Sequence, residues 1–443
     1  MTETRPTRLR HARAALAVSF FVQGTVFALL VTRIPALQDR YGVPDAWLPG
    51  FLAAVPVLAG LASLGTERLV RRVRPSTVLR WAQLSVCLAL VAAGSGREVW
   101  QLGLALAAFG LAVGALDASM NMVGVGLQRA YGRSIIIGFH AAYSLGGIVG
   151  ASLAWAGARG GLPLGALYAP VVAVLIPVAL AAGRWYAAAA APGPHPAPIP
   201  APAPDPDPAP GPRAAAGPSS AGPRAGPGPG SEGEAAGPAP SASPNMRPLL
   251  PLCLVMAFAF IGDATVSNWS ATYLQDVLHS SDALATVPYN LYMVTTLLGR
   301  AVGDLAVRRF GAVRVVRAGT LLAAGGFAVV AAAPGAAVGL LGFTLLGLGL
   351  CAIVPQTIAA AGWRYPEPRA AEAAVARLNV FNYVGFLVGS PLVGALGAVW
   401  SLRGAMLVPM TLVLATLGYA RQFGDQRARY GEAHERPRAV DVG

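Results

Sequence analysis

Asp117 and Asn121 stand four residues apart in a stretch, Gly114 to His140, whose other members are mostly apolar or small. On a helix Gly110, Gly114, Asp117 and Asn121 fall within about 60° of one another and form one small, polar stripe. Glycines at that spacing admit a second helix, so the carboxyl should face protein or a cavity rather than lipid. In the next apolar stretch His140, Ser144, Gly147 and Ala151 share a face in the same way. Asp117 and His140 are therefore candidate neighbours across two packed helices. Desolvation penalises a charged carboxylate, which makes Asp117 a candidate to take up and release protons or to bind a ligand. The alternative is a structural hydrogen bond to Asn121 or a neighbouring helix. For His140, a neutral bond across an interface and a functional role are both open.

A second acid, Asp263, shares a helical face with Ser267 and Ser270, with Asn268, Trp269 and Tyr273 close by. It is the other candidate proton site, because ionisable residues within membrane spans are functional by default. Tyr289, Tyr292 and Thr296 make a semi-polar stripe that either lines a cavity or packs. Gln356, Asn379, Asn382, Tyr383 and Gln23 complete the expected lining. Arg33, before Pro35, either clamps an anion or snorkels to the interface. Pro56, Pro288, Pro355 and Pro391 fall inside apolar runs, where they kink or break helices and free carbonyls.

None of this is catalytic. The sequence has no phosphate loop of the G-x-x-x-x-G-K type, no HExxH and no GxSxG, and it contains no lysine. Cys87, Cys253 and Cys351 lie in apolar runs without metal-ligand spacing, so neither a metal site nor a disulfide framework is expected. No cofactor is expected, and the chain is not read as an enzyme.

The elements that must position these groups are transmembrane helices. Only 12% of the 443 residues are charged and 55% are hydrophobic, despite a formal net charge of +13, a balance that excludes a soluble nucleic-acid binder. Apolar runs of about 20 residues recur, the length a helix needs to cross the hydrocarbon core. They fall near residues 14–34, 47–66, 76–94, 101–127, 134–157 and 163–185, and again near 248–275, 284–304, 313–333, 336–361, 373–399 and 402–420. The expectation is an all-α integral membrane protein of 12 transmembrane helices in two six-helix halves, 1–186 and 247–443. Residues 187–246, rich in Pro, Ala and Gly and poor in bulky apolar residues, read as a disordered tether. The basic segment before the first span leads into a long apolar stretch with no convincing cleavage site and reads as part of a retained first helix.

Arginines cluster in the N-terminal tail, "TERLVRRVR", "QRAYGR", the tether, "VRRFGAVRVVR", "WRYPEPR" and the C-terminal tail, all on one side of the alternating spans. By the positive-inside rule that side is cytoplasmic. The expected place is the bacterial cell membrane, multi-pass, with both termini inside.

The two halves carry related signals after their second spans. "LGTERLVRRVR" places Glu67 and Arg68 before Arg71 and Arg72; "LGRAVGDLAVRRFG" places Asp304 before Arg308 and Arg309. Aligning the arginine pairs sets Glu67 opposite Asp304, an internal repeat of the kind found in transporters. On these residues the sequence resembles the major facilitator superfamily, over everything except the tether and tails. "GRAVGDLAVRRFG", Gly299 to Gly311, carries most of the resemblance; in the first half Ser63 and Val70 stand where glycines are usual and Glu67 replaces Asp. "LDASMN", "FHAAYSLGGIVGA", "NWSATYL" and "YVGFLVGSPLVGALG" further resemble a poorly characterised bacterial subgroup of that superfamily. The resemblance implies that Glu67, Arg68, Arg71, Arg72, Gly299, Arg300, Asp304, Arg308 and Arg309 are gating groups that hold the halves closed on the cytoplasmic side.

The resulting expectation is a secondary active transporter of a small organic solute, coupled to protons and working by alternating access as a monomer in the lipid bilayer, with no nucleic-acid partner. Efflux of a drug or secondary metabolite by proton antiport is the runner-up, disfavoured by the absence of proline from the fifth span, "YSLGGIVGASLAW". A non-transporting membrane sensor or scaffold is the alternative of another class.

Overall fold

The computed structural model describes residues 5–44, 47–186, 247–281, 284 and 287–424; the expected tether and the end of the tail lie outside them. The described chain is helical almost throughout. A first set comprises α1 (Arg5–Val31), the short α2 (Ile34–Tyr41), α3 (Leu48–Leu69), α4 (Pro75–Ser95), α5 (Val99–Tyr131), α6 (Ile136–Arg159) and α7 (Leu164–Gly183). A second set comprises α8 (Leu250–Thr272), α9 (Val287–Phe310), α10 (Ala312–Ala332), α11 (Ala336–Leu350), α12 (Ile353–Arg364), α13 (Pro368–Val399), α14 (Leu402–Ala405) and α15 (Leu407–Tyr419). Ten stretches are long and apolar enough to cross a membrane, α11 with α12 and α14 with α15 each making one. With α3 and α9, which pack among them, the described residues make the twelve long helical passes expected from the apolar runs, although α3 and α9 fall short of the others in length or hydropathy.

Local chemistry sets several helix ends. Gln101 Oε1 accepts the Glu98 N–H at 3.1 Å at the start of α5, and Glu367 accepts from Arg369 N and Ala370 N at the start of α13. Both caps satisfy amides that the helix itself leaves orphaned. The first turn of α6 has no such cap from its own Ile135; it is completed by other helices, as described below.

Of the four prolines expected to disturb spans, Pro56 and Pro391 lie inside α3 and α13. Pro288 instead stands in the first turn of α9, where its missing N–H costs nothing. Pro355 stands in the first turn of α12, and the expected tenth span divides just before it, between Leu350 and Ile353. A proline cannot donate to the carbonyl four residues back, here Cys351.

Alternate helices run in opposite directions, so α1 starts and α7 and α15 finish at one end, the basic end. Exposed Trp47, Trp100, Trp155 and Trp400 cluster at helix termini of the opposite end, where indole rings sit at a membrane interface. Within the first set α6 packs on α1, and α5 on α3 and α4; within the second α13 packs on α8, and α9 on α11. The sets meet where α13 lies along α3 and α5, and α9 lies along α6. Gly114 shows why the small stripe on α5 matters: a Cβ there would collide with the backbone of Ala59 on α3.

Candidate functional site

Two carboxyl groups stand near the middle of their helices. Asp117 on α5 accepts hydrogen bonds from Gln23 Nε2 of α1 on one oxygen and from the Tyr383 phenol of α13 on the other. Asn379, one turn before Tyr383, is buried and its side-chain amide interacts with both groups. Asn121 donates to the Asp117 backbone carbonyl at 2.9 Å, while its Oδ1 is buried without a partner among the described residues. A buried polar atom left unpaired is costly, so the Asn121 oxygen marks a place for water or a ligand.

Asp263 on α8 accepts from the phenol of Tyr292 on α9. The Tyr289 ring lies 6.4 Å from that of Tyr292 at 28° and bonds Ser267. Eight residues along α9, Arg300 reaches across to the first set: Nη1 donates to Ser144 Oγ at 2.7 Å and, at 3.5 Å, approaches the His140 carbonyl. Its Nε donates at 3.3 Å to the Cys351 carbonyl, the one freed by Pro355. Between the two clusters stands Tyr143 of α6, within electrostatic range of Asp117, Asp263, Tyr289 and Arg300.

The expected adjacency of Asp117 and His140 is not found. Their helices α5 and α6 hardly touch, because α1 intervenes; His140 packs its ring on Phe20 of α1 at 5.2 Å, with Nε2 buried and without a partner among the described residues. Asn268 is exposed and bonds the Ala264 carbonyl of its own helix, away from the Asp263 carboxyl. Gln356 is fully buried with both amide atoms unpartnered among the described residues. Asn382 is half-buried beside Tyr383 on α13.

The expected gating groups lie at the basic end, except Gly299 and Arg300, which stand near the middle of α9. Glu67 of α3 is buried and receives Arg377 of α13 through Nε and Nη2, each at 2.7 Å, with Arg71 at 3.4 Å. Beside it Ser63 donates to the Ala376 carbonyl at 2.9 Å. Asp304 of α9 accepts from Ser134 Oγ at 2.7 Å, Gly138 N at 2.8 Å and Ile137 N at 3.3 Å. It thus caps the N-terminus of α6 in the other set, where a negative charge is favoured by the helix dipole. Gln128 of α5 completes the cap, its Oε1 accepting Ile135 N at 2.9 Å and Ile136 N at 3.1 Å. The approach is close enough that a Cβ on Gly303 would overlap Ile137. Arg308 donates to the Ser134 carbonyl at 3.1 Å rather than to Asp304, and Arg129 of α5 donates to the carbonyls of Gly362 and Tyr365.

Arg68, Arg72 and Arg309 are exposed, as the basic rim of a membrane protein requires. Gly299 faces Cys351, where it lets α9 approach the α11–α12 break. Arg300 beside it likewise stands deeper than the loop motif suggests and holds the His140–Ser144 turn. Sequence reasoning missed Arg377, Arg129, Gln128, Ser134 and Tyr143. Only the general rule that a buried carboxylate needs a partner could have called for the first.

The profile of the Major Facilitator Superfamily matches residues 252–437. An uncharacterised MFS-type transporter of Yersinia pestis is 28% identical over 408 residues, covering 91% of this chain and 94% of that protein. Among solved structures, the major facilitator superfamily transporter FucP in its outward conformation superposes with a TM-score of 0.67 at 15% identity, over 94% of this chain and 98% of the other. The proton:xylose symporter XylE gives 0.69 at 11% identity, over 95% and 96%.

Proposed function

We propose, from the premise that this chain belongs to the major facilitator superfamily, that it is a proton-coupled secondary active transporter of a small organic solute. As a member it is a multi-pass membrane transporter. The coupling ion, the working cycle and the orientation are the added reading. The observation that carries it is Asp117, a carboxyl in mid-membrane held from α1 on one side and from α13 on the other. An acid placed there without a paired cation is costly unless it works. XylE, which shares the fold, is named a proton:xylose symporter, and proton coupling is carried over from it as part of this proposal.

In this reading the basic end faces the cytoplasm of a bacterial cell membrane, and the Glu67–Arg377 and Asp304–α6 contacts close it. Solute enters from the opposite face to the cluster of Asp263, Tyr289, Tyr292 and Tyr143, where carboxyl, phenol and amide groups can hydrogen-bond a polar molecule. A proton from water passes to Asp117, and the two helix sets rock about the site until the cytoplasmic contacts part. Among the expected lining residues, Asn121, His140 and Gln356 contribute buried atoms unpartnered among the described residues, and Asn379 and Asn382 stand beside Tyr383. One chain holds both sets, so a monomer suffices.

The test is purified protein in liposomes with an internal pH dye, challenged with sugars, amino acids, organic acids and antibiotics. A solute-dependent pH change absent from Asp117→Asn supports the reading, and its sign separates symport from the antiport expected of an efflux pump. An unchanged response in Asp117→Asn removes that residue from coupling.

A further inference from the structure

We propose that Tyr383 is the positioning residue that turns the protonation state of Asp117 into grip between the two helix sets, and that Asp263 takes no part in that step. The proposal rests on the proton-coupled reading above and names the device it needs.

The two acids have different kinds of partner. Asp263 is held by Tyr292, which belongs to its own set, so a change at Asp263 alters a bond within that set. Asp117 is held by Tyr383 of the other set. Tyr383 shares α13 with Ala376 and Arg377, which hold Ser63 and Glu67 of α3. Six residues separate Arg377 from Tyr383, about 9 Å along a helix axis. A helix moves as a unit over that length, so the midplane bond and the closure at the basic end load the same rod.

The surroundings of Asp117 support a single titrating centre. From α1 it meets the neutral amide of Gln23; from α13, Asn379 and Tyr383; from α6, Tyr143 acts on it at longer range. Where α3 packs on α5 beside it, at Gly114, the nearest atoms are the backbone of Ala59. Arg300 and Asp263 act on Tyr143 from the far side, and Glu67 is engaged by Arg377 nearer the basic end. With the carboxylate charged, Tyr383 donates a charge-assisted bond. When water delivers a proton to Asp117 the acid becomes neutral, Tyr383 keeps its own proton, and their bond falls to about half its strength. The grip loosens on protonation.

The experiment measures conformation, so the solute need not be known. Arg74→Cys and Arg314→Cys, both exposed and on opposite sets, carry spin labels in full-length protein whose three buried cysteines are replaced by alanine, in lipid nanodiscs between pH 8 and 5. Wild type should lose short-distance population as pH falls, the closed-to-open ratio changing roughly tenfold. Tyr383→Phe, which keeps the ring against Gly60, and Asp117→Asn should both sit near the low-pH ratio at every pH, while Asp263→Asn titrates as wild type does. A wild type that does not respond to pH overturns both this proposal and proton coupling. A wild type that responds, with Tyr383→Phe responding equally or Asp263→Asn not at all, overturns the Tyr383 link alone.

Discussion

Glu67 and Arg377, 310 residues apart in sequence, form a two-point ion pair across the boundary between the helix sets, both nitrogen–oxygen distances being 2.7 Å. The guanidinium fork matches the carboxylate geometry, and the pair is mostly shielded, with side-chain exposures of 16% and 8%. Arg377→Ala leaves a buried carboxylate with only the exposed Arg71 near it. The expected loss is about 2 kcal/mol of closed-state stability, read as faster labelling of Ser63→Cys by a membrane-impermeant maleimide. Combining Glu67→Arg with Arg377→Glu should recover part of the protection; no recovery would show that position rather than pairing matters.

Asp304 acts through a helix terminus. Asp304→Asn keeps one acceptor and loses the charge, for an expected cost of about 1 kcal/mol, whereas Asp304→Ala strands the Ile137 and Gly138 amides and should cost about twice that. Thermal unfolding followed by size-exclusion fluorescence, run on both variants, gives the order. Equal melting points would rule out the capping account.

The contact between Gly303 and Ile137 predicts a compensating pair. Gly303→Ala alone should weaken closure by about 1 to 3 kcal/mol through overpacking, since the new Cβ overlaps Ile137. Adding Ile137→Ala makes room and should restore Ser63→Cys protection. If the double variant labels faster than either single one, the two residues are not steric partners.

Pro355 and Arg300 are linked through the Cys351 carbonyl. In Pro355→Ala the new backbone N–H competes for that carbonyl, which should straighten the junction of α11 and α12 and release Arg300. Solute uptake or efflux, once a substrate is found, should fall at least severalfold with no loss of melting temperature, and Arg300→Gln should resemble it. Full activity in Pro355→Ala would make the helix break incidental.

What the sequence disclosed was whatever a single helix can carry. The stripe of Gly110, Gly114, Asp117 and Asn121 follows from the helical period, and the twelve crossings follow from the apolar runs. Pairing between distant helices leaves no such mark. Arg377 reads as one more arginine in a stretch of alanines, Gln128 as one polar residue before a basic loop, and Tyr143 as an aromatic in a glycine-rich span. Asp117 and His140 were expected to meet because consecutive spans often do, whereas this fold places α1 between them. Arg300 belongs to a loop motif by sequence yet serves the interior, because α9 enters the bundle deeply enough for Gly299 to touch Cys351.

The shared cap of α6 has a consequence for the energetics of turnover. Gln128 comes from the same set as α6 and stays with it however the sets rock, so Ile135 and Ile136 are never stranded. In the proposed cycle Asp304 departs when the basic end parts, and the Ile137 and Gly138 amides, with the Ser134 hydroxyl, must then be hydrated by entering water. The helix start behaves as a plug with one fixed contact and one detachable contact. In the proposed cycle this helix start therefore exposes two backbone amides rather than four, which lowers its share of the cost of parting the Glu67–Arg377 end.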